Sequence, residues 1–527
     1  MLLCRPGLKD WAAACVRSNN MTRKNVIKMI FASLIFIIIF GILTAVLEPK
    51  WNYYGNQTQT RVQAFYRQEK GSHDVIYLGS SFSYCGISPL KIWEEQKISG
   101  YVFSNPAQKA WISAYYLEEA LKYQTPEVVV YEAGAILDEE ETDEGHNRKN
   151  IDYLRWSPTK LKAIMTVCAN TGESKKEYLF PLLRFHSRWS DLDQADFHLA
   201  WDSSYYLMGT ALKLTTRPAS KKNIARYHAW QPGTMETPRT EVGPKCKDAV
   251  LKMKKLCQEK GIKFQLVRMP SMQWSPEAGE IVQRFADENQ IPFLDMNLYR
   301  EEIGVDWRAD THDKGMHLNI LGCEKASSFL GKYLKENYEF ETKMSDDNRK
   351  FWDTSAMKFN SLVESYTLPV IGDCEAYVGA LDNEDFITAV TLCAAPGNDL
   401  TGEQRKAFSE LGLNVPAADA GKGTAYLALL DGRKVVREKS GEGMVKSKPY
   451  TWGEDTFRIV SGDPVHSEQT LVAVSEREYE VSKPGINIVV YDKTLGQVVD
   501  VVNFDTAQKN APAEHVKQPL IEDDGGE

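Results

Sequence analysis

The sequence predicts an α/β protein behind one N-terminal apolar helix, with a separate β-rich domain at the carboxyl end. Three observations carry this. A charge-free run at 29–47 follows a basic stretch. Between 72 and 340, short β-branched segments alternate with longer helical ones, the pattern of βαβ units and a parallel sheet. From 372 onward the segments become short and strand-rich, punctuated by turn residues.

Residues 1–28 hold Arg5, Lys9, Arg17, Arg23, Lys24 and Lys28 against Asp10 alone. At 1.5 Å per residue, the apolar run 29–47 covers roughly 28 Å, enough for a hydrocarbon core. Its basic flank favours a cytoplasmic N-terminus, with everything after Glu48 outside the cell membrane. A signal peptide is the alternative, but the run is long for one and no A-x-A-like site closes it. Met21 is an alternative start. Residues 48–71 read as a connector.

The chain of 527 residues carries net charge −9 and 26% charged residues, which argues against a nucleic-acid partner. Nine cysteines without C-x-x-C spacing indicate neither a zinc site nor a dithiol redox motif. Cys374 and Cys393 are the pair to test for a disulfide; free buried cysteines are the alternative.

Within 72–340 the strands fall at 75–78, 101–104, 127–131, 263–267 and 292–294. The helices fall at 90–98, 110–124, 245–260, 276–289 and 321–336, with Ser88-Pro89 and Ser275-Pro276 as N-cap and first-turn proline. Right-handed crossovers then place ligands at the carboxyl ends of the strands. Between 134 and 238 the alternation breaks. The acidic run 138–141, with Asp143 and Glu144, reads as a solvated loop. Ser157-Pro158 opens a helix to 169. The aromatic and basic stretch 180–189 is either a structural insert or a cap whose His186 or Arg188 touches an anionic or sugar ligand.

The first strand ends in Gly79-Ser80-Ser81, a turn that lifts Ser81 above the sheet beside backbone N–H groups and a helix N-terminus, both suited to a developing oxyanion. Ser81 is the candidate nucleophile. A serine hydroxyl needs a base, and the base needs an acid to fix its tautomer. Residues 310–319 supply both, with Asp310, His312, Asp313 and His317 close together. No cofactor or metal is called for.

Residues 72–338 resemble the SGNH (GDSL-like) hydrolase family through Leu78-Gly79-Ser80-Ser81 and through Asp313…His317-Leu318-Asn319 with Gly322. The membrane-anchored layout resembles the DltD-like and alginate-acetylation-like branch. That resemblance implies a flavodoxin-like three-layer sandwich and esterase or acyltransferase chemistry on cell-envelope glycans of a bacterium. It makes Ser81 the nucleophile, His317 the base and Asp313 the acid. Several positions depart from the pattern. Ser80 replaces the family's aspartate. The acid lies four residues before the histidine rather than three, where Lys314 stands, so Asp310 is a substitute. Asn105-Pro106-Ala107-Gln108 occupies the place of the second-block glycine, and Glu132-Ala133-Gly134 that of the Gly-x-Asn-Asp block. The oxyanion hole is accordingly assigned to the Ser81 N–H and the Asn105 side chain.

Residues 341–371 read as a polar linker or helix. Beyond it, hairpins are predicted at 424–430 with 434–437, around Asp431-Gly432, and at 486–491 with 498–504, with one helix at 402–411. Residues 372–507 resemble the ILEI/PANDER domain through the run from Pro484-Gly485 to Tyr491-Asp492, then Val499-Asp500 and Phe504-Asp505-Thr506. That implies a compact β-sandwich-like module with carbohydrate contact in some relatives. Residues 508–527 read as a disordered tail.

These features lead to the expectation of an extracytoplasmic serine esterase or O-acyltransferase acting on acyl groups, acetyl foremost, of an envelope polysaccharide. A sugar acceptor would require an acyl donor, and so a membrane acyltransferase partner. The alternative is a catalytically silent glycan-binding or assembly protein.

Overall fold

The computed structural model describes residues 23–49, 58–192, 195–197, 207–230, 241–341, 343–394, 400–416, 423–506, 508 and 511–515. Five parallel strands form the first sheet: β1 Val75–Leu78, β2 Gly100–Val102, β3 Val128–Glu132, β4 Lys263–Arg268 and β5 Phe293–Asp295. Their order is β2-β1-β3-β4-β5, with β1 hydrogen-bonded to both β2 and β3. Residues alternate between two cores. Ile76, Leu78, Val129, Tyr131 and Leu266 face one; Val75, Tyr77, Val128, Val130 and Val267 face the other. Both faces are covered, which is why these strands read as unbroken apolar runs.

Helices Thr58–Phe65, Ala110–Ala120, Pro158–Thr171 and Pro244–Glu259 contribute to the first core, and Ile320–Asn337 lays Ala326, Leu330 and Leu334 into the second. Ser88, Ser157 and Ser275 cap their helices by accepting the N–H three residues on, each followed by proline. The chain leaves β1 toward β2 at one edge, then returns to β3 on the other side of β1. That reversal opens a crevice at the carboxyl ends of β1 and β3.

The acidic run is more engaged than a solvated loop. Glu139 accepts the backbone N–H of Lys245 and Cys246 at the start of helix Pro244–Glu259, and Asp143 caps helix Glu144–Ile151. These carboxylates satisfy orphan helix donors.

Of the two readings of 341–371, linker or helix, the structure shows a helix, Asp346–Thr367. Trp352, Ala356, Phe359, Val363 and Tyr366 recur at helical spacing and join the first core. Trp352 packs on Trp93 at 5.4 Å, and the Trp93 indole donates to Asp353. At its far end the Ser365 hydroxyl donates to Asp492.

The carboxyl-terminal region contains two packed antiparallel sheets. Its strands are β6 Phe386–Ala394, β7 Thr424–Asp431, β8 Lys434–Gly441, β9 Met444–Lys446, β10 Tyr450–Trp452, β11 Asp455–Gly462, β12 Leu471–Val474, β13 Arg477–Glu480, β14 Gly485–Asp492, β15 Gln497–Phe504 and β16 Ala513–His515. One sheet runs β16-β15-β14-β6-β7-β8 and the other β10-β11-β12-β13, with β9 on β11. Ala389, Leu427 and Val489 from the first meet Phe457, Ile459 and Val472 from the second. Helices Cys374–Ala380 and Gly402–Glu410 cover the opposite face of the six-stranded sheet.

Three expectations change here. The two-residue loop of the first hairpin is Gly432-Arg433, with Asp431 paired to Lys434 and only Gly432 of the pair at positive φ (+56°). Residues 511–515 are ordered: β16 pairs with β15, and His515 bonds to Asp500. Cys374 and Cys393 form no disulfide; all seven cysteines of the described residues are free and buried, behaving as small core hydrophobes.

Candidate active site

Ser81 is the first residue of a short helix, Ser81–Gly86, that begins two residues beyond β1. Gly79 makes the turn possible. Its φ is +147°, and an added Cβ would lie 2.8 Å from the Cβ of Glu132 on β3. As a first-turn donor, the Ser81 N–H has no intrahelical acceptor.

The Ser81 Oγ lies 2.7 Å from His317 Nε2, although 236 residues separate them. His317 Nδ1 lies 2.6 Å from Asp313 Oδ2, and the His317 backbone N–H donates to Asp313 Oδ1 at 2.7 Å. A carboxylate can only accept, so Nδ1 carries the proton and Nε2 is left to accept from the serine hydroxyl. Burial opposes charge on Asp313, but the hydrogen bond from the imidazole, its attraction and the backbone N–H together outweigh that. The carboxyl is held below its ordinary value.

The loop carrying these groups is braced from within. Thr311 Oγ1 donates to the His317 carbonyl and accepts the Gly315 N–H, and Thr311 bridges Leu318. Lys314 (φ +66°) and Gly315 (φ +100°) reverse the chain, and Met272 packs where a Cβ on Gly315 would sit. Asp310 is committed elsewhere: its carboxylate receives Lys325 Nζ and the Asp306 N–H, both at 2.7 Å.

Sequence reasoning missed a buried support beneath the histidine. The Phe82 ring stacks on His317 at 4.6 Å, and the Arg268 guanidinium lies 4.0 Å over Phe82 and 4.7 Å over Trp274. Arg268 is paired at 2.6 Å with Glu132, and both are buried. Glu132 also accepts the Gly134 N–H. Glu132-Ala133-Gly134, the stretch that departs from the family pattern, therefore holds the cation on which Phe82 rests.

Asn105 lies on the neighbouring strand exit but is fully buried; its side-chain nitrogen donates to Tyr116 Oη and its side-chain Oδ1 has no partner among the described residues. Two residues on, Ala107 is partly exposed and adopts a left-handed φ of +48°. Ser104 touches the serine helix through a 2.7 Å bond from Ser83 Oγ. His186 and Arg188 are not brought to this group. His186 is exposed beside the Leu183 carbonyl, and Arg188 bonds to the Leu47 carbonyl and Asp196.

A cleft of about 1020 Å³ adjoins Asp313 and is lined by Arg226, Trp230, Met272, Trp274 and Lys314, among others. The Trp230 indole N–H is buried without a partner among the described residues. Residues 207–230 contain Lys213, Arg217, Lys221, Lys222 and Arg226 and no aspartate or glutamate. This basic segment lies along the Asp/His loop: Arg217 N–H donates to the Thr311 carbonyl, Lys314 N–H to the Arg217 carbonyl, and Ile320 N–H to the Lys213 carbonyl. Among the described residues, His312, Asp313 and His317 form the one grouping with metal-ligand spacing, within 4.8 Å. Two of the three are already bonded to each other.

No family model and no curated protein matches the chain. Solved structures match part of the chain, two of them as follows. A candidate acylhydrolase from Bacteroides fragilis is 11% identical, covering 55% of this chain and 98% of its own, with a TM-score of 0.26. A GDSL-like lipase from Bacteroides thetaiotaomicron is 10% identical, covering 54% and 99%, also at 0.26. Likeness this remote carries no argument about activity.

Proposed function

We propose that the chain is a membrane-anchored, outward-facing serine esterase or O-acyltransferase of the SGNH type, acting on acyl groups of an envelope polysaccharide. The observation that carries this reading is the unbroken bond series Ser81 Oγ–His317 Nε2 and His317 Nδ1–Asp313 Oδ2, at 2.7 and 2.6 Å. Ser81 Oγ attacks the ester carbonyl carbon while its proton passes to His317 Nε2. The tetrahedral intermediate then collapses, the sugar oxygen leaves with that proton, and an acyl-Ser81 ester remains. Water or a second sugar hydroxyl attacks this ester, giving its proton to Nε2, and Ser81 departs reprotonated. With water the outcome is hydrolysis; with a sugar it is transfer, and where the acyl group comes from a source other than a sugar ester, a membrane acyltransferase partner would present the donor.

The developing oxyanion falls to the Ser81 N–H. Loss of one such donor typically costs about 2.7–4 kcal/mol of transition-state stabilisation. The tryptophans and cations of the adjoining cleft favour a glycan that bears negative charge, aromatic faces packing on sugar rings and Arg226 and Lys314 meeting anions. A silent binder would show a serine and histidine too far apart to bond, and the 2.7 Å separation gives that alternative no support.

The test is labelling of the full chain with a fluorophosphonate probe, beside Ser81→Ala and His317→Ala. Labelling that disappears in both variants supports an activated serine. Labelling of the folded protein no stronger than in Ser81→Ala overturns the enzyme reading.

A further inference from the structure

We infer that the segment from Trp156 to Phe197 is a membrane-seating surface that rests in the outer interface of the bilayer crossed by the N-terminal helix. The inference goes beyond the chemistry of the serine site and rests only on the helix being a retained anchor. Helix Arg23–Leu47 carries a candidate membrane span over Asn25–Leu47, charge-free from Met29 on, and these 23 residues extend roughly 34 Å at 1.5 Å each. Leu47 therefore lies near the outer boundary of a hydrocarbon core about 30 Å thick.

What Leu47 touches is at that depth too. The short helix Leu182–Phe185 and the turns His186–Ser190 and Ala195–Phe197 pack on the N-terminal helix. Arg188 donates to the Leu47 carbonyl at 2.8 Å and is held by Asp196, while Tyr153 donates to the Pro49 carbonyl at 2.8 Å. Leu47 itself is buried by these contacts. The exit of the helix is therefore fixed against this segment rather than joined to it by a loose tether.

The same elements turn apolar side chains outward. Trp156 is 58% exposed, Phe180 52%, Leu183 55% and Trp189 72%. Seven of the fourteen exposed large apolar side chains that the described residues hold outside the N-terminal helix fall between 156 and 197. Apolar exposure is thus concentrated where the anchor emerges, and elsewhere among the described residues comes singly or, at Leu298-Tyr299, as a pair. Tryptophan is the residue enriched at membrane interfaces, with its ring among lipid and its N–H in the wet layer. The buried Lys160 holds the Trp156 ring from 4.6 Å while its ammonium donates to the Asp152 and Leu154 carbonyls, and Lys175 and Lys176 are exposed on the same segment, where their stems can lie along apolar surface with the charges in the wet layer. This surface gives the 180–189 stretch, with His186 and Arg188, its place: its aromatic and basic residues meet lipid, and Arg188 pins the anchor.

The experiment uses the full chain in nanodiscs of mixed phosphatidylcholine and phosphatidylglycerol. An environment-sensitive fluorophore is attached at Phe180→Cys, Leu183→Cys or Trp189→Cys, with the unsubstituted chain as blank. Ile38→Cys in the anchor and Val465→Cys, an 86% exposed site in the β module, serve as references. Replacing the lipid with one bearing a doxyl quencher near the headgroup should lower emission at 180, 183 and 189 at least about two-fold, while leaving 465 unchanged, and a second lipid with the doxyl group near the end of the acyl chain reads position 38 at the bilayer centre. Water-like, unquenched emission at the three sites, with position 38 quenched, overturns the proposal. Apolar emission without quenching overturns it as well, because a protein partner then covers the surface. An unquenched position 38 removes the anchor and the seating surface together, whatever the serine does. Three labelled positions keep the result independent of any one variant's folding.

Discussion

Replacing Asp313 by asparagine tests the site most sharply, because the carboxylate does two things that an amide cannot do at once. Oδ1 accepts the His317 backbone N–H at 2.7 Å and Oδ2 accepts the ring Nδ1–H at 2.6 Å. In Asp313→Asn one position is an NH2 group. If the amide oxygen stays on the backbone N–H, the NH2 faces Nδ1 and drives the ring proton to Nε2. The Ser81 hydroxyl then meets a donor where it needs an acceptor. Wrong-tautomer substitutions in triads lower kcat about 10⁴-fold, which at 1.36 kcal/mol per decade is roughly 5.4 kcal/mol of barrier. The assay is the rate of fluorophosphonate labelling and of aryl acetate hydrolysis by the full chain, with Asp310→Asn in parallel. Activity within ten-fold of wild type in Asp313→Asn, or a larger loss in Asp310→Asn, would refute the assignment.

Asp310→Asn should keep hydrolysis within a few-fold but lower the Tm, since a buried carboxylate that receives Lys325 and the Asp306 N–H is removed. Glu132→Ala leaves the buried Arg268 charge unpaired and should destabilise by about 3–5 kcal/mol in urea titration. An unchanged midpoint would mean that Arg268 finds water. Trp352→Ala should cost about 3–5 kcal/mol by the same measurement, because its ring is wholly buried against Trp93. His515 carries the pH prediction. Burial alone would lower its pKa, but the hydrogen bond and charge of Asp500 and the Ile371 carbonyl raise it above the ordinary value. Its contribution is therefore fully present below about pH 6.5 and is lost as pH rises through the folded value. Amide exchange in β16 should accelerate on going from acidic to mildly alkaline solution, and His515→Gln should flatten that dependence.

The serine turn was legible because its determinants are local: an apolar strand, then residues too small to block the approach of Glu132. The choice between Asp313 and Asp310 was not, since spacing along the chain does not say which carboxylate faces the ring. The left-handed pair Lys314-Gly315 absorbs the extra residue and brings Asp313 back to His317. Glu132 and Arg268, 136 residues apart, meet only through the register of β3 with β4, which no local pattern encodes. The sequence leaves 346–367 between linker and helix, because its polar composition hides the Trp352, Ala356, Phe359, Val363 and Tyr366 face that only tertiary packing buries. Residues 180–189 stay between a structural insert and a cap over the site, because the sequence cannot say which way their aromatic and basic side chains point.

The helix Asp346–Thr367 also constrains the order of assembly. A chain made from its amino end releases the whole α/β sheet before Trp352 exists, so Trp93 and His73 wait uncovered until that ring arrives at 5.4 and 5.9 Å from them. The last stitch, Ser365 to Asp492, closes only once β14 has emerged. Between those two moments the nascent protein exposes an apolar trough on its outer side. A fragment ending at residue 340 would keep that trough permanently, and should be sticky for reasons unrelated to its serine.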